Sequence, residues 1–177
     1  MNIRRRMLLS GSGALAAVAA LGPWRVKAAQ PGGDAAATGA ASGPAEHFAV
    51  THSDAEWRKL LTPAQYEVLR NAGTERPYTS PLNDEHRSGI FTCAGCAANL
   101  FTSNTKFDSG TGWPSFYAPL PHAVIEHADL SFGMVRTEVH CHRCGGHLGH
   151  VFDDGPKPTG LRYCMNGVAM NFKPGAA

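Results

Sequence analysis

Four of the five cysteines fall into two C-x-x-C pairs, Cys93/Cys96 and Cys141/Cys144, and the fifth, Cys164, stands alone. A C-x-x-C turn presents two thiolates to one ion, and two such turns complete the tetrahedron that Zn²⁺ favours in structural sites. Two disulfides or a redox dithiol are the other readings of the same four residues. The 44 residues between the pairs are more than a compact ribbon needs, so the two turns are expected on separate hairpins. That length costs little, because closure entropy grows only logarithmically. His140 and His142 flank Cys141 and are rival ligands in principle, but four thiolates already fill a tetrahedron. Such a closed site keeps no open position, which makes a zinc there structural rather than catalytic.

The 177 residues suffice for one ordinary domain and an appendage. The formal charge of +2 misleads. Five of the 16 basic residues (Arg4, Arg5, Arg6, Arg25 and Lys27) lie in the first 28 positions, which hold no acid, leaving 11 against 14 acids and a net of −3 for the rest. A four-thiolate zinc would add about −2. The body is therefore mildly acidic, without the electrostatic footprint of a nucleic-acid binder.

Residues 1–28 have the organisation of an export signal: the basic Arg4-Arg5-Arg6, an apolar run from Met7 to Leu21, then Val26-Lys27-Ala28 as a small-residue cleavage site. The run is short for a transmembrane helix, so no stable membrane association is expected once the signal is removed. Arg4-Arg5-x-Met7-Leu8 resembles the twin-arginine signal, which implies a periplasmic or exported protein carried across in folded form. Zinc would then be captured while the thiols are still reduced. From Ala29 to about Pro44 the composition is almost wholly Ala, Gly, Pro, Ser and Thr, which cannot bury enough apolar surface to order itself. The expected division is signal 1–28, flexible linker 29–52 and a folded domain 53–174.

Ser53-Asp54-Ala55-Glu56 is a capping box and predicts a short helix to Leu61. Thr62-Pro63-Ala64-Gln65 repeats the device, with Pro at the first helical position, and predicts a second helix ending near Asn71-Ala72-Gly73. Beyond Gly89 the pattern changes to short apolar alternations, as in Ile90–Thr92, Met134–His140 and Val168–Phe172. In Met134–His140, Val135, Thr137 and Val139 share one face, with Arg136 and Glu138 on the other. The expectation is a mainly β, antiparallel body, preceded by short helices and stapled at the strand ends by the four-cysteine zinc site.

Cys164 sits in Arg162-Tyr163-Cys164-Met165-Asn166. A free cysteine is often only a small buried hydrophobe. In a strand, however, Arg162 and Asn166 share its face, one a cation favouring the thiolate and the other an amide beside the sulfur. His147 and His150 supply imidazoles for proton transfer, on opposite strand faces unless Gly149 makes a bulge. In Gly110-Thr111-Gly112-Trp113-Pro114-Ser115-Phe116 the glycines permit a tight turn that holds Trp113 rigidly, beside Phe116 and Tyr117. These rings serve equally as core packing or as the wall of a pocket for a methyl or thioether group.

Gly112–Phe116, the run His147–Phe152 with Asp154-Gly155-Pro156, and Arg162-Tyr163-Cys164-x-Asn166 together resemble the methionine-R-sulfoxide reductases of type B. The likeness begins near Glu56-Trp57, includes Thr74-Glu75-Arg76-Pro77 and runs to Phe172. It implies a zinc-bearing fold of two antiparallel β-sheets with small N-terminal helices, and thiol-dependent reduction of the R epimer of methionine sulfoxide, mainly within proteins or peptides. It implies Cys93, Cys96, Cys141 and Cys144 as zinc ligands, Cys164 as nucleophile, His147 and His150 as site histidines and Asn166 as their polar partner. Trp113 matches the substrate wall, with Phe116 and Arg162 expected beside it. Many members carry a recycling cysteine where this chain has Thr111, so an external thiol reductant, thioredoxin-like or small, is the expected partner. Two other readings compete: a cysteine hydrolase using Cys164 with His147 or His150, and a non-catalytic zinc-ribbon binding module in which Cys164 and Trp113 only pack.

Overall fold

The structure, a computed structural model, describes residues 47–177. The expected signal and most of the linker lie outside the described residues. Among the described residues no helix is long and apolar enough to cross a membrane.

Both capping boxes form. The Ser53 hydroxyl accepts from Glu56 N–H, and the Glu56 carboxylate accepts from Ser53 N–H at 2.8 Å, opening α1 (Asp54–Leu60). Thr62 and Gln65 exchange the same bonds at 3.2 and 3.0 Å to open α2 (Pro63–Asn71), which ends on Ala72 in the left-handed conformation. Each cap satisfies amides that would otherwise lack partners, worth about 1 kcal/mol. The buried face of the helices carries Trp57, Tyr66, Val68 and Leu69. Trp57 and Leu69 pack against Gly95, and Leu69 against Gly146, so the helices cover both cysteine turns. Residues at the end of the expected linker join this packing. The Phe48 ring lies on Gly145, Val50 N–H donates to the Arg143 carbonyl at 3.0 Å, and His52 stands edge-on to Trp57. The folded body thus takes in Phe48, Val50 and His52, which fall within the expected linker range 29–52.

Two antiparallel sheets follow. The smaller has the order β2-β1-β9, from β1 (Gly89–Cys93), β2 (Asn99–Thr102) and β9 (Met170–Pro174). The larger runs β3-β4-β8-β7-β6-β5, from β3 (Lys106–Phe107), β4 (Ser115–Phe116), β5 (Val124–Asp129), β6 (Arg136–Cys141), β7 (His147–Phe152) and β8 (Arg162–Met165). The last expected strand is split. Glu75 accepts from Gly167 and Val168 N–H, drawing Gly167–Ala169 into a 3₁₀ turn before β9 begins. The sheets share a core of Phe91, Leu100, Phe101, Phe116, Val139, Leu148 and Met165, all fully buried. Phe101 and Phe116 stack at 4.3 Å between centroids, and Phe91 meets Phe116 edge-on at 4.9 Å.

Alternation decides what the larger sheet shows on its other face. Ser115, Cys164, His150, Glu138 and His127 are successive cross-strand partners on β4, β8, β7, β6 and β5. They form one polar row across the sheet, with the aromatic core behind it.

Candidate active site and metal centre

The cysteine pairs occupy the turns of the β1–β2 and β6–β7 hairpins, as their spacing predicts. The two turns repeat one geometry. Ala97 N–H donates to Cys93 C=O at 2.9 Å and Gly145 N–H to Cys141 C=O at 2.8 Å, and both Ala97 (φ 58°) and Gly145 (φ 67°) are left-handed. At Gly145 a side chain would also strike the Phe48 ring at 2.5 Å. The four sulfurs lie within 4.8 Å of one another, with Cys93···Cys144 at 3.7 Å and Cys96···Cys141 at 3.6 Å. A tetrahedron with Zn–S bonds of about 2.3 Å has edges of about 3.8 Å, so the residues fit a metal ion. All five cysteines are free thiols.

Cys164 lies mid-strand, where its neighbours are set by register. His150 is directly opposite on β7 and Ser115 directly opposite on β4. Such partners have Cβ atoms only about 5 Å apart. Gly149 lets β7 approach this closely, because a Cβ there would lie 2.1 Å from the Cys164 carbonyl oxygen. The strand irregularity that the two histidines require is present. Val139 pairs with Gly149 and His140 with His147, leaving Leu148 as the extra residue. The bulge thus falls one residue before Gly149, and it brings the His147 and His150 rings to 5.6 Å.

Cys164, His150, Trp113 and Asn166 line a cavity of about 150 Å³ with Thr74, Arg136, Gly149 and Phe152. Drug-sized ligands occupy about 300–1,000 Å³. This pocket accepts the end of a side chain. A larger cavity, about 570 Å³, lies between α2 and β9, but it is lined by no cysteine or histidine and its titratable groups are Glu67 and Glu75.

Asp129 ties the acid–base end together, accepting from His150 Nε2 at 2.9 Å and Arg136 Nη2 at 2.6 Å. The Ser131 hydroxyl and N–H, then His150 and Arg136, hold the Asp129 carboxyl well below the usual range. A carboxylate only accepts, so Nε2 of His150 carries the proton and Nδ1 is left to exchange one. Burial pushes the His147 imidazole down to about 4. At Glu138 burial acts to raise the carboxyl, but His140 and His147 outweigh it and hold it low. Burial also pushes the Cys164 thiol up, against the opposing pull of the Thr111 hydroxyl, 3.9 Å away, and of Arg162. Burial outweighs the pull of Arg162, whose guanidinium is also held by other partners. It donates to Asp154 at 2.7 and 2.8 Å and lies over the Phe152 ring at 4.4 Å.

Three expectations need correction. Phe116 is not a pocket residue. β4 pairs Ser115 with Cys164 and Phe116 with Tyr163, so alternation sends Phe116 into the core. Arg162 shares the face of Cys164 but reaches the pocket through Phe152, which it supports. His147 stands behind His150, buried beside Glu138, rather than on the pocket wall. Asn166 is at the wall, with one amide proton given to Leu148 C=O at 3.0 Å and its oxygen accepting from Glu75 N–H at 2.9 Å.

Glu75 also accepts the Trp113 indole N–H on its carbonyl at 3.2 Å, so one residue positions both Trp113 and Asn166. Sequence reasoning assigned it no role. Arg136 and Phe152 were missed as pocket residues, and Asp129 as the carboxylate that holds His150 and Arg136, although the alternation of Arg136 and Glu138 already marked a polar strand face. Asp129 becomes visible only through its pairing with Arg136 on the neighbouring strand.

A β domain with a four-cysteine centre and a solitary cysteine facing an imidazole defines a narrow class. The family model described as SelR domain matches residues 61–174, and the chain belongs to that family. It is 59% identical over 126 residues to the peptide methionine sulfoxide reductase MsrB of Agrobacterium fabrum (strain C58 / ATCC 33970), covering 71% of this chain and 93% of that protein. The protein of the same name from Pseudomonas putida (strain W619) is 61% identical over 120 residues, 67% of this chain and 90% of the other. That from Leptospira interrogans serogroup Icterohaemorrhagiae serovar Lai (strain 56601) is 52% identical over 128 residues, 72% and 98% of the two chains.

Proposed function

We propose that this protein is an oxidoreductase that reduces methionine-R-sulfoxide, mainly in proteins or peptides, to methionine. The observation that carries the reading is Cys164 directly opposite His150 in a pocket sized for the end of one side chain, in a chain so similar to proteins named for this activity. Trp113 receives the substrate methyl. Cys164 attacks the sulfoxide sulfur while the oxygen takes a proton through His150, a transfer worth about 10²–10⁴-fold in rate. The resting thiol supplies a proton itself, since burial keeps it protonated. In net terms the S–O bond of the substrate breaks, a Cys164 S–O bond forms, the thioether is released and Cys164 remains as a sulfenic acid.

Thr111, the hydroxyl beside Cys164, cannot form a disulfide with it. The sulfenic acid is therefore returned to thiol by two external thiols, with loss of water and formation of their disulfide. Cys93, Cys96, Cys141 and Cys144 would hold Zn²⁺, which would serve as a structural tie between the two hairpins. The basic leader is what supports an exported or periplasmic location.

Turnover of the two separated sulfoxide epimers by wild type and Cys164→Ser tests the reading. Methionine should form from the R epimer by wild type alone. Equal use of both epimers, or cleavage of esters and amides instead, would end it. Mass spectrometry after one equivalent of oxidant substrate tests the recycling step, where an intramolecular disulfide to Cys164 would be the contrary result.

A further inference from the structure

Glu138, His140 and His147 form a second group of metal-type side chains, their ligating atoms within 4.8 Å of one another. Glu138 Oε1 is 3.1 Å from His140 Nε2 and 2.5 Å from His147 Nδ1. Three features separate this group from an ordinary ion pair. First, His140 Nδ1 lies 3.1 Å from the Gly145 carbonyl oxygen, which only accepts, so Nδ1 carries the proton. His140 Nε2 is thereby directed at the Glu138 carboxylate. A ring nitrogen anchored on a carbonyl is also the usual outer partner of a metal-ligating imidazole. Second, His147 is only 2% exposed, and neither of its ring nitrogens makes a well-aligned hydrogen bond. A buried polar group left in that state costs about 1–3 kcal/mol, which a ligand bond would recover. Third, Glu138 and His140 line a cavity of about 310 Å³ with Phe48, His127 and Gly145, giving a solvated ion a way in.

We propose that Glu138, His140 and His147 are a second metal site, for a divalent transition ion of the zinc class, with water from the cavity completing its shell. Two neutral imidazoles and one carboxylate suit such a borderline ion. The His127 ring, 5.0 Å from that of His140 by centroids, borders the entrance. The site differs from the cysteine centre in keeping open positions, so its ion exchanges with solvent. An ion there also ties down His147, next to His150, and slows turnover. That last consequence rests on the function proposed above; the site itself does not.

The test starts from protein carrying one zinc per chain. Zn²⁺ is titrated by calorimetry, and Co²⁺ by visible absorption. A second ion should bind, His140→Ala should weaken it at least tenfold, and Cys164→Ser should leave it unchanged. Imidazole ¹⁵N signals of His140 and His147 in the wild type should move on adding Zn²⁺, a readout that needs no variant to fold. Saturation at one ion, unmoved imidazole signals, or a folded His140→Ala that binds as tightly as wild type would overturn the site. A second ion bound with turnover unchanged would overturn the inhibition.

Discussion

The two cysteine regions contrast in how the backbone presents sulfur. Cys93, Cys96, Cys141 and Cys144 sit in hairpin turns, where tight backbone geometry lets two residues point at one spot and two hairpins converge. Cys164 sits within β8, where the pleat prevents such convergence and the sulfur meets only what register puts opposite, His150 and Ser115. Turns therefore build the candidate metal centre, and a strand builds the site proposed for the chemistry. The first depends on local sequence, the second on pairing between distant segments.

The contrast can be broken most directly at the turns. Cys144→Ser should lose the metal and unfold the domain or cost several kcal/mol, because the ion's binding energy is folding energy, about 10–16 kcal/mol in small zinc modules. Metal content and thermal melts check this, and an unchanged melt would show that the turns need no ion. Cys164→Ser should do the opposite, losing at least about 10³-fold in turnover. Its melting temperature should stay near that of wild type, since one half-buried atom is changed. His150→Ala should lower kcat by about 10²–10⁴-fold. A loss confined to KM would instead make it a binding residue.

The smallest effect sharpens the electrostatic side. Burial raises the pKa of Cys164, so its thiolate forms at higher pH than in an ordinary cysteine, about 8.5. Alkylation of the free protein by iodoacetamide should increase with pH and reach its midpoint above that value. A lower midpoint would mean that Arg162 and Thr111 outweigh burial.

Local signals were legible residue by residue. The capping boxes at Ser53 and Thr62 form as expected, and so do the separate hairpins of the two C-x-x-C turns, because each involves residues no more than a few positions apart. Failures came where a distant partner decides. Phe116 and Trp113 look alike as rings beside a glycine turn, yet pairing with β8 buries Phe116 in the core and leaves Trp113 at the pocket. Arg162 does act on Cys164, but only the fold shows that Asp154 and Phe152 engage it as well. Glu75 shows nothing of its bracing role until Trp113, Asn166 and the 166–168 turn are brought to it.

By itself the sequence determined the grouping of four cysteines into two turns, the helix starts, the strand-rich body and the one thiol left outside that group, since these follow from spacing and short-range periodicity. Only the tertiary structure decided which strand lies beside which, and so which side chains face Cys164. In a sheet the neighbours of a side chain lie on other strands, and a shift of one residue in register would send every one of them to the opposite face.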